Sequence, residues 1–309
     1  MELSHIGRAL TTAVIFMLAG CGAAGTTVPL GAMTQSREHK ASSSSGDLLY
    51  VAKDTLDTYS YPGLQQEQKF KYVRGYIDAG SNVSNGDICF VALGVMGIYH
   101  YGTSQPFEDF RPVGTIDSGF TDCAFDPTTG NIAASLSSDH HQPILNILSP
   151  SSKGVSYSDP NMDAAWFVAY DANGNLFVDG DGRTSGWLLD ELPKGNNALV
   201  ELSLSKQIGP MLSLQWDGTY MTVMDSTTIY RLSVSGSTAT VIGQTPLNHV
   251  EKGHWNTSFE ISSGTVIGIA HKGNGQSLAL WHYPKGGNPY KQVRTRSVGA
   301  FALSVAPTH

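Results

Sequence analysis

The feature that most constrains the fold is a short pattern that recurs at nearly equal spacing along the chain. Each copy is a turn glycine followed by a run of β-forming residues, as in Gly86–Val91 and Gly174–Val178. The intervals between successive glycines are 40, 44, 44, 44 and 46 residues, for Gly46, Gly86, Gly130, Gly174, Gly218 and Gly264. Asn, Asp or Ser precedes most of them, which predicts hairpin turns in which glycine supplies a positive φ. A β-repeat of this length is typical of a propeller blade.

A second repeated pattern, which we call the second echo, lies further along each repeat. Tyr61–Gly63, Leu192–Gly195 and Tyr283–Gly286 each follow an alternating strand and form a turn. Each unit therefore holds four strands, A to D, with the repeated glycine between A and B. Residues 42–45 are all serine and cannot supply an apolar strand A for the first unit. The apolar segment Val298–Ala306 falls where a further strand A is due, so we predict that it completes the first blade.

The sequence thus predicts an all-β fold, a six-bladed β-propeller of four-stranded blades closed by a C-terminal strand that completes blade one. The composition agrees, because charged residues are only 15% of the chain and glycine occurs 34 times. The usual charged fraction is about 25%, and low charge with many glycines is typical of exported all-β proteins. A seven-bladed propeller with one degenerate blade and a pair of β-sandwiches are the alternative folds, and the regular spacing favours the six-bladed ring.

Three segments carry a resemblance to a known group of propellers: Tyr50–Ala52, Asp126–Ile132 and Asp171–Val178. They resemble the NHL-like and gluconolactonase/regucalcin-like six-bladed propellers, over most of the chain after the tether described below. The resemblance implies the fold and leaves the function open, because propellers host many unrelated functions. It also implies one enzyme hypothesis, since gluconolactonase-like enzymes hold a metal ion in the central mouth of the propeller.

The N-terminus is typical of an export signal. Arg8 precedes an uncharged, mostly apolar run from Ala9 to Ala19, which is too short to span a bilayer but has the length of a signal-peptide core. The run ends in Leu-Ala-Gly-Cys at Cys21, which resembles the lipobox of bacterial lipoproteins. That resemblance implies cleavage before Cys21, acylation of its thiol (palmitate among the acyl groups) and membrane anchoring. In Gram-negative lipoproteins, an aspartate directly after the lipidated cysteine favours retention in the inner membrane. This chain has Gly22 at that position, which favours the outer membrane.

These features divide the chain into a signal peptide (1–20), a lipidated cysteine with a flexible tether (21–46) and the β-propeller (47–309). The tether has almost no apolar pattern. We therefore expect an extracytoplasmic, lipid-anchored protein whose domain stands clear of the lipid headgroups.

Two cysteines remain once Cys21 is assigned to lipid. Cys89 is predicted on strand B of the second blade and Cys123 on strand A of the third, at similar heights in neighbouring blades. In an oxidising compartment the two can form a disulfide, and two buried free thiols are the alternative.

The candidate ligand site is the central mouth, near the start of the A strands. The polar and aromatic residues predicted there are Asp122, Asp163, His254, Trp255 and Asn256. By resemblance to the gluconolactonase-like enzymes, Asp122, Asp163 and Asn256 are of the chemical type that would hold a divalent cation. Polar loops around a solvent-filled channel are the alternative. Three further aspartates lie just ahead of the repeated glycines and are interpreted as turn residues: Asp126, Asp171 and Asp217.

Several function classes lack their sequence signature. The chain has no nucleophile elbow, no phosphate-binding Gly-rich Lys motif and no His-x-x-x-His zinc spacing. Its formal net charge is −7 with no basic block, which argues against nucleic acid as a partner.

The sequence therefore predicts an envelope-anchored lipoprotein whose propeller is a binding or scaffold module for a protein, glycan or small molecule. No catalytic residues and no cofactor are predicted for it. The main alternative is a metal-dependent, lactonase-like hydrolase with a divalent cation in the mouth. Glycan lyases and quinone-dependent dehydrogenases are the remaining enzyme classes.

Overall fold

Among the residues that the computed structural model describes, every regular element is a β-strand. The structure describes residues 46–52, 55–71, 76–81, 86–92, 95–100, 108–110, 119–137, 144–149, 152–184, 186–250, 259–272, 275–295 and 300–304. The strands are β1 Leu48–Ala52, β2 Thr55–Ser60, β3 Gln66–Lys71, β4 Tyr76–Ser81, β5 Ile88–Ala92, β6 Val95–Tyr99, β7 Glu108–Phe110, β8 Gly119–Phe125, β9 Ile132–Ser137, β10 Leu145–Ser149, β11 Ser152–Tyr157, β12 Met162–Tyr170, β13 Leu176–Gly182, β14 Trp187–Leu192, β15 Val200–Glu201, β16 Ser203–Leu204, β17 Ser213–Trp216, β18 Met221–Met224, β19 Thr228–Ser235, β20 Thr238–Pro246, β21 Glu260–Ser262, β22 Thr265–Lys272, β23 Gly275–His282, β24 Lys291–Arg294 and β25 Ala300–Ser304.

The described strands form six sheets. Five sheets are each built from one continuous segment: sheet 2 (β4–β7), sheet 3 (β8–β11), sheet 4 (β12–β15), sheet 5 (β16–β20) and sheet 6 (β21–β24). Sheet 1 combines β1, β2 and β3 with β25 from the other end of the chain. Sheet 5 has a fifth strand, because β16 adds to β20 in the parallel direction.

The C-terminal strand completes the first sheet, as the missing strand A predicted. Strand β25 runs antiparallel to β1, with Leu303 opposite Leu49 and Ala302 opposite Tyr50. Without it, one edge of β1 would lack a partner among the described strands, because β2 pairs only with the other edge. The first and last described strands are therefore held together by a backbone ladder.

Successive sheets pack face to face, and apolar clusters of described residues fill five of the interfaces. Leu49 and Val51 of sheet 1 pack on Ile267 and Leu280 of sheet 6. Similar clusters join sheets 2 and 3, 3 and 4, 4 and 5, and 5 and 6, and β25 contacts β4 of sheet 2. Burying one such side chain contributes roughly 1.5–3 kcal/mol. The arrangement is that of a β-propeller.

Five of the six repeated glycines occupy left-handed turns between strands A and B, as the repeat predicted; Gly46 instead precedes β1, whose strand A is β25. The φ angles are 75°, 74°, 84°, 98° and 74° at Gly86, Gly130, Gly174, Gly218 and Gly264. The aspartates ahead of them bind the same turns, so their interpretation as turn residues is confirmed. Asp171 Oδ1, for example, accepts the backbone N–H groups of Asn173 and Asn175, each at 2.8 Å.

The second echo also has a shared structural role. The C–D turn of one sheet reaches the A–B turn of the preceding sheet. The three contacts are Lys194 Nζ to Thr128 Oγ1 (3.0 Å), the Tyr283 hydroxyl to Asp217 Oδ2 (2.5 Å) and the Tyr61 hydroxyl to the Ser262 carbonyl (3.2 Å). They connect sheet 4 to 3, sheet 6 to 5 and sheet 1 to 6. The last of these links adjoins the closure of the chain ends.

Candidate functional site

The first residue predicted for the mouth, Asp122, lies in the middle of β8 and is buried between sheets 3 and 4. Only 5% of Asp122 is exposed. Its Oδ1 accepts the backbone N–H of Cys123 at 2.7 Å, and its Oδ2 accepts that of Val168 in β12 at 2.8 Å. Both carboxylate oxygens serve contacts within the fold. Asp122 therefore differs from the solvent-facing ligand that the sequence led us to expect.

Two bulges in β12 explain why this interface needs polar side chains. The register of β12 on β13 shifts between Met162 and Ala164 and again between Ala165 and Phe167. A bulge leaves backbone groups without a ladder partner, and buried backbone groups must find another. Thr121 donates its hydroxyl to the Ala165 carbonyl at 2.9 Å.

Two further backbone groups near these bulges have side-chain partners. The Ser135 hydroxyl donates to the Trp166 carbonyl at 3.0 Å, and Asp179 Oδ1 accepts the N–H of Phe167 at 3.0 Å. We call this set of contacts, from Thr121, Asp122, Ser135 and Asp179 to β12, the polar seam. Its carboxylates complete the hydrogen bonding of an irregular inner strand.

Asp163 is the second residue of β12 and lies near the surface. Its Oδ1 pairs with Arg183 Nε at 3.1 Å, and the two side chains are 24% and 38% exposed. Val168, which contacts Asp122, lies five positions further along β12. At about 3.3 Å per residue, the two aspartates meet β12 at points roughly 16 Å apart. The structure does not bring Asp122 and Asp163 together around one ion.

The other residues predicted for the mouth, His254, Trp255 and Asn256, lie outside the described residues, as does the lipidation candidate Cys21. Within the described ranges, no three His, Cys, Asp or Glu side chains come close enough to one another to hold a metal ion. The same part of the chain contains no helix with the length and hydrophobicity needed to span a bilayer.

Cys89 and Cys123 are joined as a disulfide, with Cα atoms 6.3 Å apart. Cys89 lies in β5 and Cys123 in β8, the strands expected from the sequence, and both are buried. The bridge therefore crosses the interface between sheets 2 and 3. It lies within the apolar cluster that includes Val91 and Phe120.

Asp190 is a fully buried carboxyl group that sequence reasoning missed. It lies in β14 opposite Glu201 of β15, and neither of its oxygens has a hydrogen-bond donor among the described residues. Burial, together with the nearby carboxyl groups of Asp159 and Glu201, raises the pKa of Asp190 to about 9. The group is therefore protonated at neutral pH. Its burial could have been predicted from its place in β14, because strand alternation puts Asp190 on the same face as Leu188 and Leu192.

An open cavity of about 340 Å³ lies beside the outer strand of sheet 6. Its described lining residues are His249, Asn288, Pro289, Tyr290, Lys291 and Gln292. Asn248 Nδ2 donates to Asn288 Oδ1 at 2.8 Å, which fixes the orientation of the Asn288 amide. Its volume is in the range of small-molecule sites. Sequence reasoning missed this cavity because it lies away from the mouth and matches no motif.

No protein-family model and no curated protein matches the sequence. Solved structures do resemble the fold. A protein of unknown function from Bacteroides caccae superimposes with a TM-score of 0.60 at 11% identity, over 84% of this chain and 99% of that one. A functionally unknown protein from Desulfotomaculum acetoxidans gives 0.56 at 10% identity, over 85% and 100%. TolB from Acinetobacter baumannii gives 0.57 at 14% identity, over 85% and 67%. At these identities the likeness shows the fold alone.

Proposed function

We propose that the protein is an envelope-anchored lipoprotein whose six sheets are the blades of one closed β-propeller, and that this propeller works as a binding module. The six-blade count is supported by the packing of sheet 6 on sheet 1 and by the pairing of β25 with β1. The NHL-like resemblance of the repeat agrees with it. A propeller of this kind presents turns and cavities on a rigid frame, which suits binding.

The observation on which the proposed binding function rests is that Asp122 hydrogen-bonds within the fold. Its two oxygens accept backbone N–H groups in the polar seam, so they are engaged with the protein itself. The cavity at Tyr290, in contrast, is preformed and open to solvent. An open cavity and a structurally engaged Asp122 support a binding module over an enzyme that uses this carboxylate in the mouth.

The anchoring part of the proposal rests on the sequence around Cys21. A signal peptide at 1–20 and a tether at 21–46 would place the propeller (47–309) outside the cytoplasm, and in a Gram-negative host Gly22 favours the outer membrane. The bridge between Cys89 and Cys123 agrees with an oxidising compartment, where structural disulfides persist.

The lactonase-like alternative would need Asp122, Asp163 and Asn256 around one divalent cation. Asp122 is committed to the polar seam and Asp163 to Arg183, while Asn256 lies outside the described residues. We therefore favour binding over metal-dependent hydrolysis.

Metal analysis of the full-length chain, purified in detergent after exposure to calcium, zinc and manganese, tests this choice. A binding module should retain no stoichiometric divalent ion and should not accelerate hydrolysis of gluconolactone. About one ion per chain, lost in Asp163→Asn together with lactone hydrolysis, would overturn it. The Asp181→Asn variant is the control for loss of one carboxylate.

A further inference from the structure

The loop 158–161 joins β11 of sheet 3 to β12 of sheet 4, and we call it the strap. Its Asn161 carbonyl accepts the backbone N–H of Arg183 at 2.7 Å, and Asn161 Nδ2 donates to Glu201 Oε2 at 3.2 Å. Within the strap, Asp159 Oδ1 accepts the N–H of Asn161 at 2.6 Å. Asn161 and Glu201 are both exposed, so water competes for the bond between them. The strap is therefore tied to sheet 4 by contacts that can open locally.

Asp190 is the buried carboxyl group beside the strap. It pairs with Glu201 across β14 and β15, and cross-strand partners project from the same face of a sheet. Asp159 of the strap supplies a second nearby carboxyl group. Asp190 is fully buried, and neither of its oxygens has a hydrogen-bond donor among the described residues. The closed strap thus holds a carboxyl group next to a buried one that has no donor.

This environment suits Asp190 only while it holds a proton. A buried carboxylate without donors is strongly unfavourable, and burial with the nearby carboxyl groups of Asp159 and Glu201 raises the pKa of Asp190 to about 9. The charged groups that flank the strap, Asp163 and Arg183, form an ion pair with each other at 3.1 Å. Ionisation of Asp190 therefore favours a conformation in which water reaches its oxygens.

Opening of the strap is the least costly way to admit that water. Strand β14 is hydrogen-bonded along both edges, to β13 and to β15. On the face of β14 that carries Asp190, Leu188 and Leu192 pack in the apolar cluster between sheets 3 and 4. Separating a ladder or that cluster would break many contacts, whereas releasing the strap breaks the few bonds of Asn161.

We propose that the strap is a proton-controlled latch, closed over Asp190 while this side chain is protonated and released from sheet 4 when it ionises. The proton passes to solvent, and water then donates hydrogen bonds to the carboxylate. Because the closed strap favours the protonated form, its stability is complete below the ordinary pKa of 3.8 and is lost as the pH rises towards 9. The inference goes beyond the proposed binding function and does not depend on it.

Hydrogen exchange of the full-length chain in detergent, followed by mass spectrometry at pH 5.5 and pH 8, tests the latch. The exchange rates are corrected for the intrinsic effect of pH, and the N–H groups to follow are those of Asn161 and Met162, which bond to Asp159. Linkage allows up to about tenfold loss of protection per pH unit, and we expect at least about tenfold over this interval. The turn 225–228 of sheet 5 is the internal control, because Asp225 binds its N–H groups in a similar way.

Variants assign the effect to one carboxyl group. Asp190→Asn should keep the corrected protection of the strap constant between the two pH values, because asparagine does not titrate. Asp163→Asn removes a carboxylate from the neighbouring strand β12 and should retain the pH dependence of the unmodified chain.

Three results would overturn the latch. They are equal corrected protection of the strap at both pH values, a parallel loss in the turn 225–228, and an unchanged pH dependence in Asp190→Asn. The first two are measured on the unmodified chain, so they decide the proposal even where a variant does not fold. Lipid on Cys21 and ligand binding play no part in this readout, so its failure leaves the anchored binding module untouched.

Discussion

Val168 in β12 donates its backbone N–H to Asp122 Oδ2 in β8 at 2.8 Å, so a carboxylate of sheet 3 hydrogen-bonds to the first strand of sheet 4. The other oxygen of Asp122 accepts the N–H of Cys123 at 2.7 Å. A buried charge is tolerated when such donors replace water. Asp122 is therefore a structural residue of the polar seam, although its residue type also suits a metal ligand.

We expect Asp122→Ala to lower the free energy of unfolding by about 3 kcal/mol or more. Two buried N–H groups lose a charged acceptor, and each such hydrogen bond contributes roughly 1.5–3 kcal/mol. Urea denaturation followed by circular dichroism measures the change. Asp163→Ala is the control and should cost less than about 1 kcal/mol, because its ion pair with Arg183 is near the surface. Equal losses in the two variants would contradict the structural role of Asp122.

The bridge between Cys89 and Cys123 should stabilise the interface of sheets 2 and 3. Replacing both cysteines with serine should cost about 2–4 kcal/mol, because the bridge restricts a segment with a sequence separation of 34 residues in the unfolded chain. Urea denaturation with and without reductant measures it, since reductant should destabilise the unmodified chain and leave the double variant unchanged. The same midpoint for both proteins would show that the bridge contributes nothing.

The regular part of the fold could be predicted from the sequence because it depends on local chemistry. A left-handed turn requires a glycine and favours an aspartate ahead of it, so each turn produces the same sequence pattern, as at Gly174 and Asp171. The strand supplied by the C-terminus was also predictable, because the serines before β1 cannot form strand A. The predicted Cys89 and Cys123 strand positions followed from the same repeat.

The candidate site was less predictable because it depends on contacts between distant parts of the chain. Asp122 belongs to the polar seam because it hydrogen-bonds to β12, a strand with two bulges. The residues around Asp122 in the sequence contain no pattern that predicts bulges in β12. Lys291 reaches the carbonyls of Pro62 and Gly63 across more than two hundred residues of sequence.

Closure by β25 should be essential for folding. A chain that ends at Gly299 lacks β25 and leaves β1 with an unpaired edge. We expect it to aggregate and to lose its cooperative unfolding transition, as seen by size-exclusion chromatography and thermal denaturation. A chain that ends at Ser304 keeps all of β25 and is the control. Cooperative unfolding of the shorter chain at an unchanged temperature would contradict the closure.

The buried carboxyl group of Asp190 should make the protein less stable as the pH rises. Its pKa is about 9 in the folded protein against an ordinary 3.8, so between these values the folded chain holds a proton that the unfolded chain releases. Stability contributed by this group is present below pH 4 and is lost as the pH rises towards 9.

Asp190→Asn removes that dependence, because asparagine does not titrate. We expect the variant to gain stability relative to the unmodified chain by a few kcal/mol between pH 5 and 8, since each pH unit contributes up to about 1.4 kcal/mol. Urea denaturation at several pH values measures the difference, and Asp163→Asn controls for the loss of one negative charge. A difference that stays constant with pH would contradict the assignment to Asp190.

The most direct test of the central claim, that this propeller is held at the cell envelope through Cys21, is lipid labelling. The full-length chain is expressed in a Gram-negative host with an alkyne analogue of palmitate, and membranes are then separated from soluble protein. We predict that the unmodified chain takes up label and sediments with the membranes. Cys21→Ser should take up none and remain soluble, while non-reducing electrophoresis still shows the bridge between Cys89 and Cys123. An unlabelled native chain, or a Cys21→Ser chain that stays with the membranes, would contradict the account.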